Sequence, residues 1–152
     1  MTRRIEQQIE NALRGQSRGV VIRPDGWRAQ NDVPSRWTRA GHLYRGITEV
    51  EYQAHKRNGY IQSTGAYSHS SEGTNFSELA EDAEGYVNYG RDDPRTTGRP
   101  NYVIEIRKTP LLVRWAADGY YKTLERIPWS LVTRVWKMSA SDGAIVAERI
   151  SR

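Results

Sequence analysis

The C-terminal half of this chain is a succession of short runs rich in aliphatic, aromatic and β-branched residues, separated by turn signals at short intervals. Tyr102 to Arg107, Leu111 to Trp115, Tyr120 to Glu125, Leu131 to Met138 and Ala144 to Ile150 are short runs of this kind. A two-residue period sends alternate side chains to opposite faces of a sheet. Asp118-Gly119 and Ser141-Asp142-Gly143 separate successive runs, and Asp-Gly is a pair that closes antiparallel hairpins. Such a half can only build its core as a predominantly antiparallel sheet.

The first half carries helix signals instead. Thr2 can cap a helix with Ile5, Ile9, Ala12 and Leu13 on one face and Gly15 as its stop. Residues 16 to 41 hold Pro24, Gly26, Pro34, Trp27 and Trp37 among arginines, and read as an irregular segment. His42 to Ile47 reads as a strand. Thr48 and Glu51 form a capping box for a helix running to about Asn58, where Gly59 supplies a left-handed stop. Tyr60 to Thr64 reads as a short strand and 65 to 75 as a loop. Ser77 reads as the cap of a second helix with Leu79, Ala83, Tyr86 and Val87 on one face, ended by Gly90. Residues 91 to 100 read as a polar loop. The expected class is α+β, with residues 1–41 as an N-terminal helix and basic segment packed on or flexible beside a domain of residues 42–152.

Composition narrows the chemistry. The 152 residues suit one core. With no cysteine, disulfides, thiol catalysis and cysteine-based zinc sites are excluded. His42, His55 and His69 are too scattered for a local metal motif, so no metal is expected. No run approaches the roughly 20 apolar residues of a membrane span, and no leader-like segment opens the chain, so a cytoplasmic location is expected. Of the 23 basic residues only Lys56, Lys108, Lys122 and Lys137 are lysines, and the net charge is +5. Arginine presents a planar fork of donors that matches phosphate and carboxylate, which fits an acidic or phosphate-bearing partner as well as a merely solvated surface.

Three short motifs follow one another along the chain: Tyr44-Arg45-Gly46 on the first strand; Gly73-Thr74-Asn75-Phe76-Ser77 with Ala83 and Tyr86 around the second helix; and Glu125 ahead of a late strand. Taken singly each has an ordinary explanation. Arg45 can pair with an acidic neighbour, Phe76, Leu79, Ala83 and Tyr86 can form a core stripe, and Glu125 can pair with Arg126 or Lys122. In this order and spacing they resemble the ADP-ribosyltransferase superfamily, over about residues 42 to 138.

The resemblance implies a fold of split antiparallel sheets with helices from the N-terminal half. It implies NAD as cofactor, and cleavage of the nicotinamide–ribose bond with transfer of ADP-ribose to a macromolecular acceptor, protein or nucleic acid. Arg45 would hold the dinucleotide beside Tyr44 and Gly46. Thr74, Phe76, Ser77 and Tyr86 would line the nicotinamide side, with Ser63-Thr64 as a competing choice for the hydroxyl motif. Glu125 would be the catalytic carboxylate that stabilises the ribosyl cation, with Glu105 as its rival. Members that modify arginine carry an acidic or amide residue two before the glutamate; here Thr123 stands there. The first-motif histidine of the polymerase-type branch is replaced by Arg45. The RNA 2′-phosphotransferase family shares the fold, but His42 and His69 do not follow its pattern.

Two non-catalytic alternatives stay open. One is a nucleic-acid- or protein-binding module using the arginines of 14–39 and 91–99, with Trp27, Trp37 or Tyr67 as stacking platforms. The other is an inhibitor that keeps the fold and docks on a protein. The small size suits a phage or mobile-element product acting on host machinery.

Overall fold

The computed structural model describes residues 20–22, 37–63, 73–114 and 120–152. The expected helix over 2–15, Thr64, Tyr67, His69, Trp27 and the Asp118-Gly119 turn lie outside these residues.

In chain order the elements are β1 (Val20–Ile22), β2 (His42–Thr48), α1 (Glu49–Asn58), β3 (Tyr60–Ile61), β4 (Thr74–Ser77), α2 (Ala80–Asn88), α3 (Pro94–Thr97), β5 (Asn101–Arg107), β6 (Val113–Arg114), β7 (Tyr120–Thr123), β8 (Ile127–Pro128), β9 (Val132–Ser141) and β10 (Ala144–Ile150). Among the described residues eight strands form one sheet in the order β1-β10-β9-β5-β2-β4-β7-β6, every pair antiparallel, and β3 pairs with β8 apart from it. The chain is α+β, with a mostly antiparallel sheet and few helices.

Local chemistry explains several boundaries. Thr48 accepts from the Glu51 amide at 3.3 Å while the Glu51 carboxylate accepts from the Thr48 amide at 3.1 Å, so the capping box forms as its sequence requires. Gly59 ends α1 at φ 81°. The β9–β10 hairpin turns through Asp142 and Gly143, both at positive φ.

Alternation in β2 and β5 divides the core into two layers. Leu43, Ile47, Tyr102, Ile104 and Ile106 face α1 and the β3–β8 pair, with Tyr52, Ile61, Phe76 and Ile127. Tyr44 and Val103 face α2, with Ala80, Ala83, Trp136 and Met138. On that second face Trp37 stacks on Trp136 at 5.5 Å between ring centroids, so it is a core residue and no stacking platform for a ligand. Residues Val20–Ile22, within the segment expected to be irregular, pair with Ala147–Ile145 of β10.

Three expectations around the second helix need correction. Residues 74 and 75, read as loop, open the strand β4. Ser77 does not cap α2; it is the last residue of β4, paired with Tyr44 and Tyr120, and its hydroxyl donates to the Leu79 carbonyl at 2.9 Å. The start of α2 is capped from outside, the Ala80 amide donating to Oγ1 of Thr38 at 2.9 Å. Of the expected apolar face, Ala83 and Val87 are buried, but Leu79 and Tyr86 are exposed. The polar loop also contains a helical turn, because Asp93 accepts from the Arg95 amide at 2.9 Å, Pro94 fills the first turn and Gly98 ends it at φ 71°.

Candidate functional site

The sheet is almost divided in the middle. Strands β2 and β4 share a single residue pair, Tyr44 with Ser77, whereas β2 pairs with β5 along its whole length. Below that pair the two strands part. A pocket of about 140 Å³ opens in the gap, lined by Tyr44, Arg45, Gly46, Asn75, Phe76 and Ser77 from the two strands, by Ala83 and Tyr86 from α2, and by Ser63, Gly73 and Tyr120. A dry cavity of about 150 Å³ accommodates one benzene ring, so the space suits a single small aromatic group.

Two glycines make this geometry possible. A Cβ at Gly46 would overlap the backbone carbonyl of Ala83, so only glycine lets α2 lie against the parting strand. Gly73 has φ 94°, and a Cβ there would overlap the carbonyl of Thr123, so only glycine lets this lining residue lie against β7.

Arg45 crosses the gap. Its Nη1 donates to the Asn75 carbonyl at 2.8 Å, a backbone group that the parted strands leave without a ladder partner from β2. The side chain lies on the α1 face of the sheet, where buried His55 also sits. Burial lowers the His55 ring to about 4; nearby Glu51 acts in the opposite sense and Arg45 lowers it further.

Beneath Tyr44 lies a buried polar cluster. The Tyr44 hydroxyl donates to Oε2 of Glu105 at 2.7 Å and accepts from the Arg39 amide at 2.8 Å. Arg134 forks onto both Glu105 oxygens, Arg39 donates to Oε1 at 2.8 Å, and Thr133 donates to Oε1 at 2.6 Å. Burial acts to raise the Glu105 carboxyl, but bonds from Arg134, Arg39, Thr133 and Tyr44 outweigh it and hold the group down at about 2. Burial and then the Glu105 bond push the Tyr44 phenol up. Glu105 therefore serves to fix Tyr44 and is sealed from the pocket.

Of the residues singled out in the sequence, Tyr44, Arg45, Gly46, Ser63, Phe76, Ser77 and Tyr86 converge on this one pocket. Thr74 stands behind it, buried, its hydroxyl accepting from the Ser63 amide at 2.8 Å. Glu125 does not line the pocket. It is exposed on the short span between β7 and β8, where its amide donates to Oγ1 of Thr123 at 2.9 Å. Sequence reasoning passed over Asn75 and Gly73, although both belong to the quoted second motif, and Tyr120, which opens a strand and carried no local signal.

A second recess shares the walls of the first. Asp82, Gly85, Tyr86 and Tyr120 line it, so both tyrosines border both spaces. The Tyr120 hydroxyl lies 3.4 Å from Oδ2 of Asp82.

The basic surface is partly committed within the chain. In the 91–99 loop, Arg95 is bonded to Asp93 at 2.6 Å and lies over the Tyr89 ring, and Arg91 is 3.5 Å from Asp92. Among the described residues no group of three or more acidic or histidine side chains is arranged around a metal position. No helix among them is long and apolar enough to cross a membrane.

No family model matches the sequence, and a search of curated proteins found no significant match. Among solved structures the chain is similar to protein CC0527 from Caulobacter crescentus, with a TM-score of 0.50 and 18% identity over 69% of this chain and 92% of that one. The likeness is one of fold.

Proposed function

We propose that the pocket between β2 and β4 binds the nicotinamide end of NAD, and that the chain is an ADP-ribosyltransferase acting on a macromolecular acceptor. The observation that carries this reading is the convergence of Tyr44, Arg45, Gly46, Ser63, Phe76, Ser77 and Tyr86, from separate stretches of sequence, on one ring-sized pocket. Phe76 and Tyr86 offer flat apolar surfaces to a pyridine ring. Arg45 offers charge-assisted bonds to a phosphate or ribose oxygen from a position fixed on a strand.

In the reaction, the bond between ribose C1′ and the pyridinium nitrogen breaks, and its electron pair leaves with neutral nicotinamide. Positive charge builds on the ribose until an acceptor lone pair bonds to C1′ and the acceptor loses a proton. A fixed carboxylate near the ribose stabilises that charge.

One observation favours a second reading, a binding module without chemistry on the same fold: among the described residues the pocket lining contains no carboxylate. Release of nicotinamide from NAD, followed chromatographically beside a calorimetric titration, separates the two. Binding with release supports the transferase. Binding without release supports the module, and the absence of both in folded protein removes NAD from the account.

A further inference from the structure

We infer that Asp82 holds the ribose next to the nicotinamide pocket, and is the carboxylate on which bond cleavage depends. This inference rests on the NAD reading above. It begins from a mismatch. The chemistry needs a carboxylate within hydrogen-bond reach of a sugar whose ring substituent sits between β2 and β4, and Glu125 stands outside that lining.

The recess beside the pocket supplies one. It borders the pocket, with Tyr86 and Tyr120 in both linings, and among the described residues Asp82 is the one carboxylate in either lining. A carboxylate beside two tyrosines is suited to a sugar. The two oxygens accept from neighbouring hydroxyls, and the ring faces cover the apolar side of the furanose.

Gly85 lines the same recess. It lies inside the nine-residue helix α2, where glycine is disfavoured relative to alanine by roughly 0.5–1 kcal/mol. The Tyr120 hydroxyl, 3.4 Å from Oδ2, borders the carboxylate on the strand side. Asp82 forms no covalent bond. It accepts from the ribose hydroxyls and stabilises the charge that builds on C1′ as nicotinamide leaves with the bonding electrons.

Asp82→Asn keeps the shape and removes the charge. In folded protein, checked by its thermal unfolding midpoint, the variant is expected to lose about 100-fold or more of nicotinamide release while its NAD affinity falls by less than about tenfold. Glu125→Gln is expected to retain release within a few-fold. Loss of release in Glu125→Gln with full activity in Asp82→Asn would overturn the inference. A second readout does not depend on turnover. Wild type should bind nicotinamide riboside about tenfold tighter than its 2′-deoxy analogue, and Asp82→Asn should not distinguish them. Equal affinities in the wild type would overturn the inference while NAD binding stands. Absence of NAD binding in folded wild type would end the underlying reading and this inference with it.

Discussion

Nη1 of Arg45 donates to the backbone carbonyl of Asn75 at 2.8 Å, across the gap where two neighbouring strands have parted. The guanidinium thus serves as a strut between the strands, and Arg45 lines the pocket. Arg45→Ala is expected to weaken NAD binding by about 10- to 100-fold, the equivalent of one lost charge-assisted contact of roughly 1.5–3 kcal/mol. Arg45→Lys should recover only part of that loss, because an ammonium cannot both brace Asn75 and fork onto the ligand. Calorimetry on the two variants checks this.

Gly46 sets how closely α2 approaches β2. Gly46→Ala is expected to destabilise the fold by about 1–3 kcal/mol, since its methyl group must displace the Ala83 backbone. Denaturant midpoints read the effect. The same shift narrows the pocket, so NAD affinity should fall in the fraction that remains folded.

Glu105 makes stability depend on acid. Its carboxyl lies at about 2 in the folded chain, against an ordinary value of 4.5. A depressed carboxyl contributes stability above the unfolded value, and that contribution disappears as pH falls from 4.5 towards 2. The linkage amounts to roughly 3 kcal/mol. Glu105→Gln should remove the slope in this window. It should also cost about 3–5 kcal/mol at neutral pH, because Arg134 is left buried without its counter-charge. Urea unfolding from pH 6 to 2 measures both effects.

His55 acts in a higher window. Its ring lies at about 4 folded and 6.5 unfolded, so the folded state keeps it neutral. Below pH 6.5 the unfolded chain takes up a proton that the folded chain refuses, and stability falls until pH reaches 4. His55→Leu should flatten this slope and leave the Glu105 slope below it intact. The two transitions are separable in one pH series because the windows meet only near pH 4 to 4.5.

The residues that were legible in the sequence act locally. Thr48 and Glu51 satisfy each other within one turn, Gly59 ends its own helix, and Asp142-Gly143 closes its own hairpin. The strand β4 was hidden because four residues carry little period, and its pairing comes from β7, more than forty residues on in the chain. Ser77 looked like a cap because a serine before an acidic, alanine-rich run usually is one. The long-range donor acceptor pair between Ala80 and Thr38 decided otherwise. Tyr44 and Arg45 were legible as a motif, but the parting of β2 from β4 that turns them into a pocket wall has no local signal. Asp82 reads as an ordinary acidic residue in a first helical turn, and nothing local marks the recess that it lines.

The central claim is that the gap between β2 and β4 is a NAD site built around Arg45. Titration of NAD into the folded wild type and into Arg45→Ala, by calorimetry under identical salt, tests it most directly. The account expects saturable one-to-one binding by the wild type and a loss of 10-fold or more in the variant. Equal binding by the two proteins, or no binding by a wild type with a cooperative unfolding transition, would contradict it.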